Sequence, residues 1–339
     1  YTTLFRSMKI TCFGSRGSLP APSRKDFSTV EFGGNTNCFF IEAGPFKIIV
    51  GCGSGVSILG DELMKRWVEQ EFPHQHFIVL LTHYHWDHIQ GLPFCTPFYL
   101  AHNTFHFHGL RPSGHEGGER LADGSHPKTV VETMLSHQQS NPHFPVAHES
   151  LPAHKEYQSH DRQFSEAFWY AHEWHRGQEQ DEATLFPHGP STVGDRPVGG
   201  PENWIKITTV PLEHPNGCLG WVIEYEGKKA AFCYDMEPLR FPNQKVSKLG
   251  HNADLMVLDG AYTEQQLQGM QQGFGHGSPE SCIEQAKDSD AKFCLIHHHD
   301  PKHDDDKLRE MEAHAQDYAL GAMFRGRVDF AREGNVYDL

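Results

Sequence analysis

The sequence predicts an α/β fold, an αββα sandwich in which helices lie outside two packed sheets. Two observations favour this fold class. Short apolar, β-branched runs such as residues 77–81 are typical of strands that are buried on both faces. Strand pairs and helical patterns occur in both halves of the chain, as two helix-covered sheets require.

Length and composition are those of a rather polar globular protein. The 339 residues are enough for a substantial core, and 37% of them are hydrophobic while 22% are charged. No apolar run approaches the roughly 18 residues of a membrane span. The net charge of −15, without any local basic run, argues against a nucleic-acid partner. We therefore expect a small-molecule substrate and no membrane association.

Cysteine usage favours a reducing compartment. The eight cysteines are scattered singly, without a CxxC pair, and several lie in apolar runs as buried free thiols do. With no signal peptide at the start of the chain, this pattern predicts a cytoplasmic protein. Residues 1–7, ahead of Met8, are expected to be a non-native leader, and residues 8–339 a single domain.

The first half of the chain is predicted to form one sheet with a helix beside it. Apolar or alternating runs predict strands at residues 8–13, 38–41, 46–50, 77–81 and 105–108. The segment Gly51–Gly55 is expected to open the helix, because apolar residues then recur at helical spacing. These residues, its predicted core face, are Val56, Leu59, Leu63 and Trp67.

A histidine-rich insertion is predicted at about residues 109–201. This segment holds ten of the 26 histidines, many glycines and prolines, and few apolar runs. Within it, residues 127–139 and 164–175 are predicted helices, and the rest is expected to be loop-like. We expect the insertion to cover or border an active site, or to mediate self-association.

The second half again predicts strands and helices. Strands are expected at residues 204–212, 219–225, 229–234, 255–258 and 293–296, and helices at residues 278–288 and 304–320. Asp304 is the predicted N-cap of the last helix. The regular alternation of elements supports the second sheet and its covering helices.

The segment His83-Tyr84-His85-Trp86-Asp87-His88 predicts a metal site. It follows the apolar strand at residues 77–81, and neutral imidazole and carboxylate are ligands that zinc accepts. A turn at the strand end can direct His83 and His85 to one ion, and Asp87 and His88 to another. A polar loop that is rich in histidine by chance is the alternative, since the chain has 26 histidines.

The same segment resembles the HxHxDH signature of metallo-β-lactamase-fold hydrolases. The following residues, up to Pro93, are similar to the branch that contains phosphodiesterases and tRNase Z. The resemblance extends from about Met8 to the C-terminus, except for the middle stretch. It implies one ion held by His83, His85 and His214, a second held by Asp87, His88 and His298, and Asp235 bound to both. The run His297-His298-His299 leaves the last ligand ambiguous by one residue, and the family register favours His298.

The resemblance also implies the chemistry. Two divalent ions, zinc or alternatively manganese or iron, would hold a bridging hydroxide, because metal binding lowers the pKa of water from about 15.7 towards roughly 7. No side-chain nucleophile or organic cofactor is then needed. Asp87 and His276 are the candidate catalytic residues. His276 lies in a segment similar to the Gly-His-Ser-Thr word of tRNase Z, where the histidine faces the scissile phosphate; the alternative is a turn histidine that caps the following helix.

Two loop positions bear on the quality of this site. Gly51 stands where related chains carry an aspartate that steadies the metal ligands, and losing such a group costs about 10–100-fold in affinity or rate. Arg16, in a loop that the family places near the active site, is a candidate phosphate contact.

Together these observations predict a dinuclear metal-dependent hydrolase that acts on a small or cyclic phosphodiester. One alternative is hydrolysis of a lactone, another ester or a thioester by the same metal pair. Another is a non-hydrolytic metal-binding member of the family. Because many relatives form dimers, the resemblance also allows a homodimer.

Overall fold

The computed structural model describes residues 8–68, 75–112, 128–173, 184–188, 204–237 and 242–339. The strands are β1 (Met8–Gly14), β2 (Cys38–Ala43), β3 (Phe46–Val50), β4 (His76–Leu80), β5 (Thr104–Leu110), β6 (His154–His160), β7 (Ala167–Glu173), β8 (Thr184–His188), β9 (Trp204–Leu212), β10 (Cys218–Tyr225), β11 (Lys228–Cys233), β12 (Leu255–Asp259), β13 (Phe293–His297), β14 (Arg327–Phe330) and β15 (Val336–Asp338). The helices are α1 (Gly55–Val68), α2 (Trp86–Ile89), α3 (Val130–Gln138), α4 (Gln244–Leu249), α5 (Glu264–Leu267), α6 (Pro279–Asp288) and α7 (Asp305–Gly321).

Two mixed sheets form the centre of the described part of the chain. The first has the strand order β15-β1-β2-β3-β4-β5-β6, and the second has the order β14-β13-β12-β11-β10-β9-β7-β8. Strands β3 to β6 are parallel in the first sheet, and β11 to β14 are parallel in the second. Because β9 and β11 are both antiparallel to β10, they run in the same direction. The loops after β9, β11, β12 and β13 therefore meet at one edge of the second sheet.

Three apolar clusters fill the layers of the sandwich. One cluster lies between the sheets and includes Phe39 and Trp221. A second joins the first sheet to α1 and includes Leu59. The third joins the second sheet to α4, α6 and α7 and includes Leu308. Helices thus cover the outer faces of both sheets, and the predicted αββα sandwich is confirmed.

The described parts of the segment at residues 109–201 are more regular than predicted. The helix predicted at residues 164–175 is wrong over its described part, because β7 occupies residues 167–173 and pairs with β9. Alternate aromatic residues of β7, Phe168 and Tyr170, enter the cluster between the sheets, which is a strand periodicity. The loop-like expectation is also wrong at β6 and β8, which extend the two sheets.

Other element predictions agree with the structure. The predicted core face of α1 is buried, and α3 lies inside the helix predicted at residues 127–139. The Asp304 side chain accepts the Lys307 N–H at 2.9 Å and so caps α7 as predicted. All eight cysteines are buried free thiols.

Some predictions fall outside the described residues. These are the leader at residues 1–7 and the parts of the insertion at residues 113–127, 174–183 and 189–203. Among the described residues, no helix combines the length and the apolar character needed to cross a membrane.

Candidate metal centre

Three histidines from two different sheets meet at the edge of the sandwich. His83 and His85 follow β4 of the first sheet, and His214 follows β9 of the second. One ring nitrogen from each lies within 4.8 Å of the others, and His85 Nδ1 is 3.2 Å from His214 Nε2. His214 Nδ1 donates to the carbonyl of Gly275 at 2.9 Å, which leaves Nε2 for the cluster. Three nitrogens converging in this way could hold one ion.

Four buried residues form a second group beside the first. Asp87, His88, Asp235 and His298 each offer one atom, and these atoms lie within 4.8 Å of one another. His88 Nε2 is 3.1 Å from Asp87 Oδ2 and 3.0 Å from Asp235 Oδ2. Asp235 Oδ2 also lies 3.6 Å from His83 Nε2, in the three-histidine group. The structure thus brings together all seven predicted ligands, with Asp235 between the two groups.

The second group combines two ionised carboxylates with two imidazoles. Burial raises the pKa of the Asp87 and Asp235 carboxyls, but the neighbouring His88 and His298 outweigh this and hold both values well below the usual range. Burial lowers the pKa of His88, yet the two carboxylates outweigh this and raise it to about 10. The buried atom His83 Nε2 finds no hydrogen-bond partner among the described residues. The five imidazoles and two carboxylates therefore fit a pair of borderline divalent ions such as zinc.

The backbone is strained at two of these residues. Asp235 has φ of 59° and His298 has φ of 64°, values that are uncommon for residues other than glycine. Such conformations cost about 1–3 kcal/mol each and persist where the surrounding structure enforces them. At His298 the neighbouring rings do so: His297 Nε2 donates to Gly14 O and His299 Nε2 to Ala331 O, both at 2.9 Å. Of the three successive histidines, His298 is the one that faces the cluster.

His276 lies beside both groups. Its ring stacks on that of His298, with centroids 4.7 Å apart and an interplanar angle of 21°, and lies 5.4 Å from the ring of His214. The helix that follows is capped by Ser278, whose side chain accepts the Ser281 N–H, so His276 does not serve as its cap. The imidazole therefore faces the same space as the predicted ligands.

Asp259 is a site residue that the sequence interpretation missed. Asp259 Oδ2 lies 2.7 Å from His276 Nδ1, and the parallel register of β12 and β13 pairs Asp259 with His297. Burial lowers the pKa of His276, but the charge and hydrogen bond of Asp259 outweigh this and raise it to about 9. An aspartate at the end of a buried strand, directly before Gly260, is the signal that could have identified it.

Arg16 has a different role from the one predicted. Its side chain is completely buried, and it donates from Nε to Gly33 O at 2.7 Å and from Nη1 to His303 O at 2.5 Å. The hypothesis of a phosphate contact is therefore wrong. The guanidinium instead joins the loop after β1 to the loop after β13, which carries His298.

Comparisons with known proteins agree with this fold. The family model described as "Beta-lactamase superfamily domain" matches residues 133–299, which include His214, Asp235, His276 and His298. The metallo-β-lactamase fold protein YhfI from Bacillus subtilis is 17% identical with a TM-score of 0.58, and the match covers 98% of this chain and all of that one. The chain has the metallo-β-lactamase fold.

Two further structures with the metallo-β-lactamase fold are similar over nearly the whole chain. Human tRNase Z, short form, is 15% identical with a TM-score of 0.54, over 97% of this chain and 98% of that one. Unliganded yeast PDE1 is 14% identical with a TM-score of 0.51, over 99% of this chain and all of that one. No curated protein sequence matches the chain significantly. The predicted resemblance to proteins of this fold is confirmed.

The structure gives a steric reason for the glycine at position 51, where the resemblance implies an aspartate. Gly51 has φ of 78°, and a Cβ atom there would lie 2.6 Å from Asn37 Nδ2. Asn37 Nδ2 in turn lies 2.7 Å from His88 Nδ1. A side chain at position 51 would therefore collide with an amide that contacts a predicted ligand.

Proposed function

We propose that this chain is a dinuclear metal-dependent hydrolase that cleaves a small or cyclic phosphodiester. The observation that carries the proposal is His276, which is held by Asp259 and stacked on His298 beside both groups of metal-binding side chains. A protonated imidazole in this place suits a reaction in which negative charge develops on phosphoryl and leaving-group oxygens.

The side chains divide into two coordinating groups and a proton donor. His83, His85 and His214 would hold one ion, while Asp87, His88 and His298 would hold the other and Asp235 would bind both. When bound, the ions supply an activated water nucleophile and polarise the oxygen of the ester. Zinc suits this donor set best, with manganese and iron as alternatives.

His276 and Asp87 would move the protons. Because Asp259 accepts from His276 Nδ1, Nε2 remains to donate to a phosphoryl oxygen or to the departing alkoxide. Asp87 Oδ2 already accepts the Ser18 N–H at 2.8 Å, so Oδ1 is the oxygen that can take up a proton from the attacking water. Asp87 thus combines the ligand role with the predicted catalytic one.

The surroundings favour a small substrate with an apolar part. Trp86, between the predicted ligands His85 and Asp87, is 80% exposed, and Phe274, two residues before His276, is 56% exposed. Aromatic side chains exposed beside a polar site can stack on a planar substrate group. The net charge of −15 disfavours a long polyanion. These features support a small phosphodiester over RNA, although tRNase Z and PDE1 are both among the similar structures.

The proposal includes a cytoplasmic location. Eight buried free thiols are compatible with a reducing compartment, and the acidic chain offers no basic surface run for a membrane or nucleic acid. A homodimer remains a proposal that rests on the resemblance alone.

The test compares the rate of phosphodiester hydrolysis with metal content in His276→Ala. With a chromogenic phosphodiester, we expect the rate to fall by about 10²–10⁴-fold while both ions stay bound, because His276 acts on the substrate and not on the ions. His251→Ala is the matched control, because it alters an exposed histidine in the loop before β12. It should leave the rate of hydrolysis and the metal content unchanged. An unchanged rate in His276→Ala would remove the argument for phosphodiesters.

A further inference from the structure

Asn37 is the closest side-chain neighbour of His88 on the side away from the carboxylates. The residue lies just before β2 and is completely buried, as is His88. Its amide Nδ2 is 2.7 Å from His88 Nδ1, whereas His88 Nε2 faces Asp87 and Asp235 at 3.1 and 3.0 Å. An imidazole that binds an ion through Nε2 carries its proton on Nδ1 and needs an acceptor there.

The Asn37 amide can provide that acceptor. Its Oδ1 is buried and finds no hydrogen-bond partner among the described residues. A rotation of the amide by 180° exchanges oxygen and nitrogen with almost no change in shape, and brings Oδ1 to His88 Nδ1–H. The rotation gives this buried acceptor a hydrogen-bond donor, and a buried acceptor without a donor is costly. Thr82 Oγ1 is farther from His88 Nδ1, at 3.2 Å, and lies 3.1 Å from His83 Nδ1.

Gly51 makes room for this arrangement. A Cβ atom at position 51 would lie 2.6, 2.8 and 2.9 Å from Nδ2, Cγ and Oδ1 of Asn37, closer than real Cβ contacts allow. The left-handed backbone of Gly51, with φ of 78°, also disfavours most side chains. The Asn37 amide and a side chain at position 51 therefore exclude each other.

We propose that Asn37 is the positioning residue that orients His88 for the second ion, in a space that a side chain at position 51 would close. The absence of a side chain at Gly51 leaves the room that the Asn37 amide occupies. This inference rests on the metal pair of the proposed function, but not on which ester is hydrolysed.

The test measures the affinity for each of two zinc ions by equilibrium dialysis, without any substrate. The wild-type chain should bind two ions. We expect Asn37→Ala to keep one ion at wild-type affinity and to bind the second about 10–100-fold more weakly. Asn37→Asp, which retains an acceptor but cannot donate, should stay within a few-fold of the wild type. Asn35→Ala is the matched control from the same loop, because Asn35 bonds to Glu333 and not to a predicted ligand.

A double variant tests whether a carboxylate at position 51 can replace the Asn37 amide. In Asn37→Ala/Gly51→Asp, the new carboxylate can occupy the space of the amide, and the second ion should bind at least tenfold more tightly than in Asn37→Ala alone. Circular dichroism verifies that each variant is folded before its affinities are compared.

The outcomes separate the two proposals. Wild-type affinity for both ions in Asn37→Ala would overturn the role of Asn37 and leave the dinuclear hydrolase standing. If Asn37→Asp loses as much affinity for the second ion as Asn37→Ala does, the amide acts as a donor to His88. That result also overturns the proposed role of Asn37. If the double variant binds the second ion no more tightly than Asn37→Ala does, a side chain at position 51 cannot replace the Asn37 amide. A wild-type chain that binds fewer than two ions would overturn the proposed function itself.

Discussion

The backbone at His298 determines which of three successive histidines faces the cluster. With φ of 64°, His298 points towards Asp87 and Asp235, while the rings on either side bond to backbone carbonyls in the interior. The sequence could suggest a ligand in this run, but its register came from the resemblance. A left-handed residue between two buried neighbours cannot be read from composition or periodicity.

Substitutions in this run should separate metal binding from folding. We expect His298→Ala to lose the second ion, because it removes a side chain with contacts to both carboxylates. His299→Gln should retain two ions but unfold at a lower denaturant concentration, since it disturbs the buried bond to Ala331 O, worth about 1 kcal/mol. Metal content and urea unfolding of both variants check this. Two bound ions in His298→Ala would show that the ligand assignment is wrong.

A substitution of Asp259 should lower the rate of hydrolysis without reducing the number of bound ions. In Asp259→Asn, His276 loses the carboxylate that holds its ring and its proton, so we expect the hydrolysis rate to fall about 10–100-fold with both ions retained. Asp254→Asn, just before the other end of β12, is the matched control, because Asp254 accepts the backbone N–H of Lys229 and pairs with the Lys292 ammonium. Steady-state kinetics beside metal analysis provides the measurement. A loss of ions in Asp259→Asn that matches the loss of rate would instead place Asp259 among the metal supports.

At the scale of elements, the sequence identified strands that are buried on both faces and missed those at the margins. The apolar runs of β12 and β13 were predicted because burial demands aliphatic side chains on both faces. In contrast, β6 is a polar edge strand, His-Lys-Glu-Tyr-Gln-Ser-His, whose pairing with β5 no apolar pattern indicates. The aromatic run of β7 fits a helical or a strand face equally in a short window, and its pairing with β9 decides between them.

The packing of α3 on β6 depends on a neutral histidine. His148 is completely buried and lies 2.8 Å from both Gln139 Oε1 and Tyr157 OH, and burial lowers its pKa to about 4. A histidine whose pKa is lower in the folded chain stabilises the fold above its unfolded pKa of about 6.5, and this contribution is lost as the pH falls towards 4. We expect up to about 3 kcal/mol of the free energy of unfolding to be lost in this window.

The measurement is urea unfolding at several pH values for the wild type and His148→Gln. The glutamine cannot take up a proton, so its free energy of unfolding should fall less steeply between pH 6.5 and 4. His154→Gln, at an exposed histidine of β6, should retain the wild-type slope. If the free energy of unfolding falls equally steeply with pH in all three proteins, His148 does not have the proposed role.

At the scale of the whole molecule, the candidate site joins the two sheets. The segment His83–His88 follows the first sheet, whereas His214, Asp235 and His298 follow strands of the second. The linear order of these residues was visible in the sequence. Their convergence follows from strand direction, which places the relevant loops at one edge of the sandwich.

Metal binding should therefore stabilise the whole fold. An ion that binds the native chain and not the unfolded one adds about 2.7 kcal/mol when its concentration is 100 times the dissociation constant. We expect chelation to lower the melting temperature and zinc to restore it, with a smaller effect of zinc in Asp235→Ala because Asp235 touches both groups. Differential scanning calorimetry provides the measurement, and a melting temperature that does not respond to chelator or zinc would contradict a resident metal pair.

The most direct measurement is turnover of a chromogenic phosphodiester by the chain reconstituted separately with zinc and with manganese, beside Asp235→Ala. We predict metal-dependent hydrolysis in the wild type that is lost in the variant, because Asp235 lies between the two groups that could hold the ions. No turnover of phosphodiesters with two ions bound, together with hydrolysis of a lactone or thioester, would contradict the proposed reaction. No turnover of any ester with two ions bound would contradict a hydrolytic role altogether.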